Sequence, residues 1–319
     1  MDRVGEILTF LREAQEYVSG DLISTKLGIS RTAIWKHMHH LDRLGYDVVK
    51  LKGKGYKLVK IPDRLYAWEI DRHLGTAFMG REIVYRENVD STNSLAFKLA
   101  LDGASEGTSI VAEAQKMGRG RLNRPWFSPP GKNLYLSVIL RPGVHPSRVY
   151  PITFISSLAV ADTIAAAAGL QPTLKWPNDV LVNGKKICGT LLELSIETDV
   201  VKFVVVGTGL NINMKEIDQE IKEKATSLYL ETKMVYERPL VCAILLSKLE
   251  KYYLLFKDKG ETEICRIWEE RAQVKGKHLE ITQMGQVYRG ISEGLDSSGA
   301  MLLNIDGQTR RIIAGDVNF

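Results

Sequence analysis

The sequence predicts an α+β protein made of three successive parts, and three observations carry that reading. Over the first ~45 residues apolar positions recur at helical spacing and lead into a short basic hairpin. From there to about residue 270 short apolar strands alternate with helices, several joined by tight turns rather than long crossovers, which favours a mixed sheet over a doubly wound parallel one. The last ~45 residues alternate apolar and polar positions between glycine-containing turns, as a small β-barrel does. The expected domains are 1–62, 63–272 and 273–319, in keeping with 319 residues, more than one hydrophobic core usually holds.

In the first part Val4, Ile7, Leu8, Leu11 and Ala14 mark one helix, "DLISTKLGIS" a short one broken at Gly28, and Ser30 caps a third with Ile34, Met38 and Leu41 on its apolar face. The segment "YDVVKLKGKGYKLVK" then alternates around Gly53-Lys54-Gly55, as a hairpin wing would. Together these predict a winged helix-turn-helix. Its last helix turns Arg31, Thr32, Trp35, Lys36 and His39 to solvent as candidate base and phosphate contacts, with Lys50, Lys52, Lys54 and Lys57 on the wing for the DNA backbone. A helical cap with solvated lysines is the competing reading. His37, His39 and His40 lack accompanying carboxylates or cysteines at ligand spacing and read as surface histidines.

Ile61-Pro62-Asp63 ends the wing, since proline continues a strand poorly. Beyond it "EIVYREN" is a strand, "STNSLAFKLALDG" a helix, "TSIVAEAQ" and "NLYLSVIL" strands, and a long apolar helix runs from about Arg148 to Ala168. Asn183-Gly184 predicts a type I′ hairpin, and "VKFVVVGTGLNIN" a buried strand ending in glycines. In the last part turns are expected at Met284-Gly285, Ser298-Gly299 and Asp306-Gly307.

Composition narrows the class. No stretch reaches the roughly 18 to 20 uninterrupted apolar residues of a membrane span, and "MDRVGEILTF" has no signal-peptide pattern, so a cytoplasmic protein is expected. Cys188, Cys242 and Cys265 are too scattered for a zinc site or a disulfide framework and read as buried thiols. The net charge is +5, yet Leu22 to Lys60 holds nine Lys or Arg against Asp42 and Asp47. A basic module on a nearly neutral body points to nucleic acid.

The chemistry is expected around "GRGRLNRPW" at 118–126. The run is neither a P-loop, which needs a glycine followed by Lys and Ser or Thr, nor a dinucleotide fingerprint, because its third glycine is missing. It reads as a mobile, donor-rich loop suited to an anion. Taken alone, "STN" at 91–93 is a helix cap, "KWPND" at 175–179 a turn and "GTGLN" at 207–211 a strand end.

In order and spacing, "DSTNSLA", "AEAQKMGRGRLNRPWFSPPGKNLYLS", "LKWPNDVLVNGKKICGTLLE" and "VVGTGLNIN" resemble the motifs of biotin protein ligases. With the winged helix in front, the whole chain resembles the bifunctional members that are also biotin operon repressors. The resemblance implies a class II synthetase-like central sheet and an SH3-like C-terminal barrel. It implies ATP and magnesium as cofactors, biotin as substrate, and a biotin carboxyl carrier protein or carboxylase biotin domain as acceptor. Operator DNA and a homodimer formed with the adenylate bound are the further implied partners. Such an enzyme makes biotinyl-5′-AMP and then biotinylates a lysine.

By resemblance Ser91, Thr92, Asn93 and Gln115 face the ureido ring, Arg119, Gly120 and Arg121 form the loop over biotin and phosphate, and Gly189 admits the ligand. Lys186 serves the carboxylate and α-phosphate, with Lys185 left open by periodicity alone, and Asn211 and Asn213 lie toward ATP. Trp126 is either a partner of Lys186 and the ligand or a core aromatic. Asp179 either orients neighbours or the metal, or serves only the Asn178-Asp179 turn, and no general base is named. A lipoate ligase and a ligand-sensing repressor without catalysis are the alternatives.

Overall fold

The computed structural model describes residues 3–14, 16–218 and 221–318, and the chain divides into two compact units, Met1–Arg72 and His73–Phe319. In the first, α1 (Arg3–Glu13) buries Val4, Ile7, Leu8 and Leu11. The Ser19 hydroxyl caps α2 (Gly20–Leu27) by accepting the Leu22 N–H at 3.1 Å, and Gly28 closes that helix at φ 63°. Ser30 caps α3 (Arg31–Arg43) in the same way through Ala33. The wing is the hairpin β1 (Asp47–Leu51) and β2 (Gly55–Lys60). It is tied back by reciprocal 2.8 Å bonds between Val18 and Tyr56. A Cβ on Gly55 would stand 1.9 Å from the Val18 carbonyl oxygen, so only glycine fits there.

This unit runs ten residues past the expected 62/63 boundary. A short helix, α4 (Ala67–Asp71), carries Glu69, which is buried, ion-paired to Arg12 and bonded by the Tyr46 hydroxyl. The neighbouring Trp68 indole N–H donates to Tyr46 Oη at 2.8 Å. Pro62 ends the wing but not the unit, because a buried carboxylate holds the following segment in place.

The second unit is built on a seven-stranded sheet of order β3-β4-β5-β9-β8-β7-β6. These are β3 (Ile83–Val89), β4 (Ser109–Gln115), β5 (Leu134–Leu140), β6 (Thr173–Lys175), β7 (Asp179–Val182), β8 (Lys185–Glu197) and β9 (Val200–Leu210). Only β3 and β4 run parallel; the other neighbours are antiparallel. Asn183 and Gly184 both have positive φ in the β7–β8 turn, as a type I′ turn requires.

Helix α5 (Thr92–Leu101) packs on one face, where Ala96 and Ala100 meet Ile110, Ile139, Phe203 and Val205. Against the other face lies α6 (Ile152–Ala168), whose Ser156 hydroxyl bonds Thr190 and Thr208 at 3.0 and 3.1 Å. The segment Pro146–Ala168 is apolar and long enough to cross a membrane, but most of its apolar stretch is buried inside the protein, which makes it a core helix. Helices α7 (Leu228–Thr232), α8 (Arg238–Lys259) and α9 (Glu261–Ala272) complete this layer, with α8 and α9 packed on α6. All three cysteines are free and buried.

The last part is a five-stranded antiparallel sheet, order β13-β12-β11-β10-β14, with β13 and β14 at its edges. Its strands are β10 (His278–Gln283), β11 (Gln286–Leu295), β12 (Met301–Ile305), β13 (Gln308–Ile312) and β14 (Asp316–Asn318). The turns Met284-Gly285 and Asp306-Gly307 both use two positive-φ residues.

One ion pair ties the central layers together. Glu113 on β4 and Arg238 on α8 are both 0% exposed and meet at 2.9 Å. Glu113→Gln should lower stability by about 3 kcal/mol, because the arginine would keep a buried charge without its counterion. The measurement is the urea midpoint of the second unit's transition; an unchanged midpoint would show that the pair carries no stability.

Candidate active site

A cleft of about 830 Å³ opens on the α5 face of the sheet, and its floor follows from strand alternation. Successive side chains on a strand point to opposite faces, so the threonines at 190 and 208 turn to α6 while Gly189, Gly207 and Gly209 face the cleft. Gly189 pairs with Gly209, which makes a patch of bare backbone across β8 and β9. Three side chains occupy the space that β-carbons would take. A Cβ on Gly207 would lie 2.0 Å from Asn93 Oδ1, one on Gly209 2.5 Å from Trp126 Nε1, and one on Gly189 3.1 Å from both Lys186 Cε and Trp126.

One wall is a polar network at the start of α5. Ser91 is the N-cap residue, but its hydroxyl makes no capping bond, which leaves it available to the cleft. Gln115 Oε1 accepts the Thr92 N–H at 2.9 Å and the Thr92 hydroxyl at 3.1 Å. Gln115 Nε2 donates to Ser128, which in turn donates to the Trp126 carbonyl. The Asn93 amide is used within the protein: Oδ1 accepts from Ser137 at 2.6 Å, and Nδ2 donates to Leu191 O and to Glu193.

The arginine loop and β8 bring the cations to the same cleft. The arginine loop is closed on itself by Gly120 N–H to Arg124 O and Trp126 N–H to Gly118 O, both 2.8 Å, with Leu122 and Asn123 at positive φ. The loop is folded here as a tight hairpin. Arg119 pairs with Glu193 at 2.8 Å, Arg124 with Asp316 at 2.5 Å and Lys186 with Asp179 at 2.7 Å. Arg121 donates instead to neutral oxygens, Asn178 Oδ1 at 3.2 Å and Gly315 O at 3.5 Å. Lys186 Nζ also sits 5.5 Å from the Trp126 ring centroid. Beside it Cys188 is buried, and that burial pushes its thiol well above its usual range, which disfavours the reactive thiolate.

Ser91, Thr92, Asn93, Gln115, Arg119, Gly120, Arg121, Trp126, Asp179, Lys186, Gly189 and Asn211 therefore share one cleft, although they come from four separate stretches of chain. Lys186 lines it and Lys185 does not. Asn213 is not brought to it: its amide donates to Tyr236 O at 2.8 Å and accepts the Tyr236 N–H at 3.0 Å, which anchors the segment leading to α8. Several contributors were not singled out from the sequence. Gly207 and Gly209 look locally like a strand end, although a GxG whose partner strand also carries a glycine is a usable signal. Met214, Ile217 and Ile221 give the cleft an apolar rim. Asp316 and Gly315 arrive from the far end of the chain, and no local pattern announces them.

In the first unit Arg31, Thr32, Trp35, Lys36 and His39 are all exposed on α3, as are Lys52 and Lys54 at the wing turn. Trp35 and His39 meet edge-to-face with centroids 4.2 Å apart. Among the described residues no group of His, Cys, Asp or Glu could hold a metal ion by itself.

A basic winged helix joined to a cleft that gathers cations over bare backbone defines a DNA-binding regulator coupled to an enzyme that handles anions. Comparisons make this specific. The Biotin/lipoate A/B protein ligase family model matches residues 85–211, an HTH domain model 3–57 and the Biotin protein ligase C terminal domain 276–319. The bifunctional ligase/repressor BirA of Bacillus subtilis is 37% identical over 310 residues, covering 97% of this chain and 95% of its own. The Escherichia coli protein of that name is 30% identical, covering 95% and 93%. The solved biotin protein ligase from Aquifex aeolicus in complex with biotin and ATP superimposes with a TM-score of 0.65 at 30% identity, covering 75% of this chain and 98% of that one. The chain belongs to the biotin protein ligase family, in its bifunctional ligase/repressor branch.

The glycine floor can be tested directly. Gly209→Ala should push Trp126 off the sheet, shift the intrinsic tryptophan emission to the red and destabilise the second unit by about 1–3 kcal/mol, the usual range for overpacking. An emission spectrum identical to the parent's would show that Trp126 does not rest on Gly209.

Proposed function

We propose that this protein activates biotin with ATP as biotinyl-5′-AMP, transfers the biotinyl group to a lysine of a biotin carboxyl carrier protein or related carboxylase domain, and represses transcription when the adenylate drives it to dimerise on operator DNA. The observation that carries the ligase reading is the convergence of Arg119, Arg121, Arg124 and Lys186 on one glycine-floored cleft. A carboxylate and a triphosphate repel each other, so an enzyme that joins them must bring fixed cations.

In the first step a biotin carboxylate oxygen attacks the α-phosphorus and pyrophosphate leaves. Lys186 lies between the two anions and offsets the charge that builds on the α-phosphate. Arg121, which has no carboxylate partner among the described residues, turns to the phosphates, and Trp126 packs on the nucleotide side. Asn211 lines the same end, while Asn213 holds the chain behind it. Ser91, Thr92 and Gln115 receive the ureido end; Asn93 orders them.

Magnesium normally keeps several waters and binds through one or two carboxylates plus substrate phosphates. Asp179, in the cleft beside Lys186, suits such a site. The ion would arrive with the triphosphate and screen its charge. In the second step the acceptor lysine's amine attacks the acyl carbon and AMP leaves; the chain's part is to hold the adenylate away from water under the arginine loop. DNA contacts fall to Arg31, Thr32, Trp35, Lys36, His39, Lys52 and Lys54. Operator binding and the use of ATP both support a cytoplasmic location.

Lys186→Ala should reduce adenylate formation by about 2–4 kcal/mol in transition-state terms while leaving the fold intact. The assay is ATP–pyrophosphate exchange dependent on biotin, with lipoate as the control acid; exchange at the parental rate would remove Lys186 from the site.

For the repressor, biotin with ATP should tighten binding to a two-half-site operator by at least about tenfold, or 1.4 kcal/mol. Sedimentation should shift toward dimer over the same ligand range. The complex should weaken steeply with salt, because the lysines and arginines of both copies displace counterions. Operator affinity and sedimentation indifferent to both ligands would refute ligand-controlled repression.

A further inference from the structure

Glu193 is a charged residue that is not among those lining the cleft, yet it bonds two that are, Asn93 and Arg119. It lies on β8 four residues beyond Gly189, about 13 Å along the strand at the usual rise, and so well away from Lys186. One carboxylate oxygen accepts the Asn93 amide N–H at 2.8 Å; the other meets Arg119 Nη2, also at 2.8 Å. An ion pair this exposed, with side chains at 38% and 27%, is worth little by itself. What distinguishes this pair is its anchor. Asn93 is 4% exposed, has no room to turn above Gly207, and is fixed from its other side by Ser137. The carboxylate is thus held on the protein side before it reaches the arginine.

The bonds continue beyond Asn93. Ser137 also bonds Thr92, Thr92 bonds Gln115, Gln115 bonds Ser128, and Ser128 bonds the Trp126 carbonyl. Glu193 therefore closes a ring of polar contacts whose two ends are both in the arginine loop, Arg119 at one and Trp126 at the other.

We propose that Glu193 is a positioning residue for biotin. It fixes the Asn93 amide, which orders the ureido anchors, and it holds Arg119 at the biotin end of the cleft, leaving Arg121 to the phosphates. This rests on the ligase reading and deepens it. Because Glu193 stands far from the reacting carboxylate, its loss acts on biotin capture rather than on the chemical step.

The test is biotin-dependent ATP–pyrophosphate exchange with the full chain, with biotin and ATP varied separately for the parent, Glu193→Ala and Glu193→Gln. Glu193→Ala should raise the biotin KM about tenfold, the scale of a lost charge-assisted hydrogen bond, and leave kcat and the ATP KM within about twofold. Glu193→Gln keeps an acceptor for Asn93 but no charge for Arg119, so its biotin KM should fall between the two. Should the alanine variant not fold, as judged by circular dichroism, the glutamine variant carries the test with a biotin KM raised at least about threefold. A biotin KM within twofold of the parent's in the folded variants, or a kcat loss with biotin KM unchanged, overturns the proposal. No biotin-dependent exchange in the parent itself would instead overturn the ligase reading.

Discussion

Four cations drawn into one cleft repel one another, and most of what surrounds the site answers that repulsion. Arg119, Arg124 and Lys186 each meet a carboxylate, and the three carboxylates come from β8, β14 and β7. Such pairs are weak at the surface, where water screens them, so those of Arg124 and Lys186 can be exchanged for the oxygens of a bound anion at little net cost, while Arg119 stays with the anchored Glu193. Arg121 is held more loosely, by an amide and a backbone oxygen. The resting electrostatics thus already sort the cations by how readily each is released to a phosphate.

Placing those groups needs a surface on which two anions can come close, and the strand pattern supplies it. Gly and Thr alternate along "GTG" in β9, with Gly189 and Thr190 beside them on β8. The threonines face α6, where Ser156 satisfies their hydroxyls. The glycines face the cleft, where Asn93, Trp126 and Lys186 lie against bare backbone. One alternation serves both the core and the site, so each face restricts substitution on the other.

The C-terminal sheet contributes to the site as well as to the fold. Asp316 pairs with Arg124, Gly315 receives Arg121, and the Trp176 indole of the KWPND stretch donates to Gly299 O at 3.1 Å. In the other unit, the buried Glu69 recruits α4 to the winged helix. The Glu69 contact is buried, where an unmet partner would be expensive, whereas the Arg124–Asp316 pair is exposed and positions more than it stabilises.

The sequence by itself determined the elements and most of the site's membership. Helical spacing, the Ser30 cap, the Asn183-Gly184 turn and the alternation of the last strands are local patterns, and local patterns survive without knowledge of neighbours. The four separated motifs pointed to one cleft because together they resemble one family's site. What the tertiary structure decided was pairing at a distance. It put Lys186, which the resemblance indicates and periodicity alone does not, into the cleft, sent Asn213 to Tyr236, brought Asp316 across the chain to Arg124, and made Glu193 the link between Asn93 and Arg119. A carboxylate in a strand reads the same whether it faces water or an arginine 74 residues away. Only the folded sheet fixes which one it meets, because that contact depends on strand register and not on neighbours in sequence.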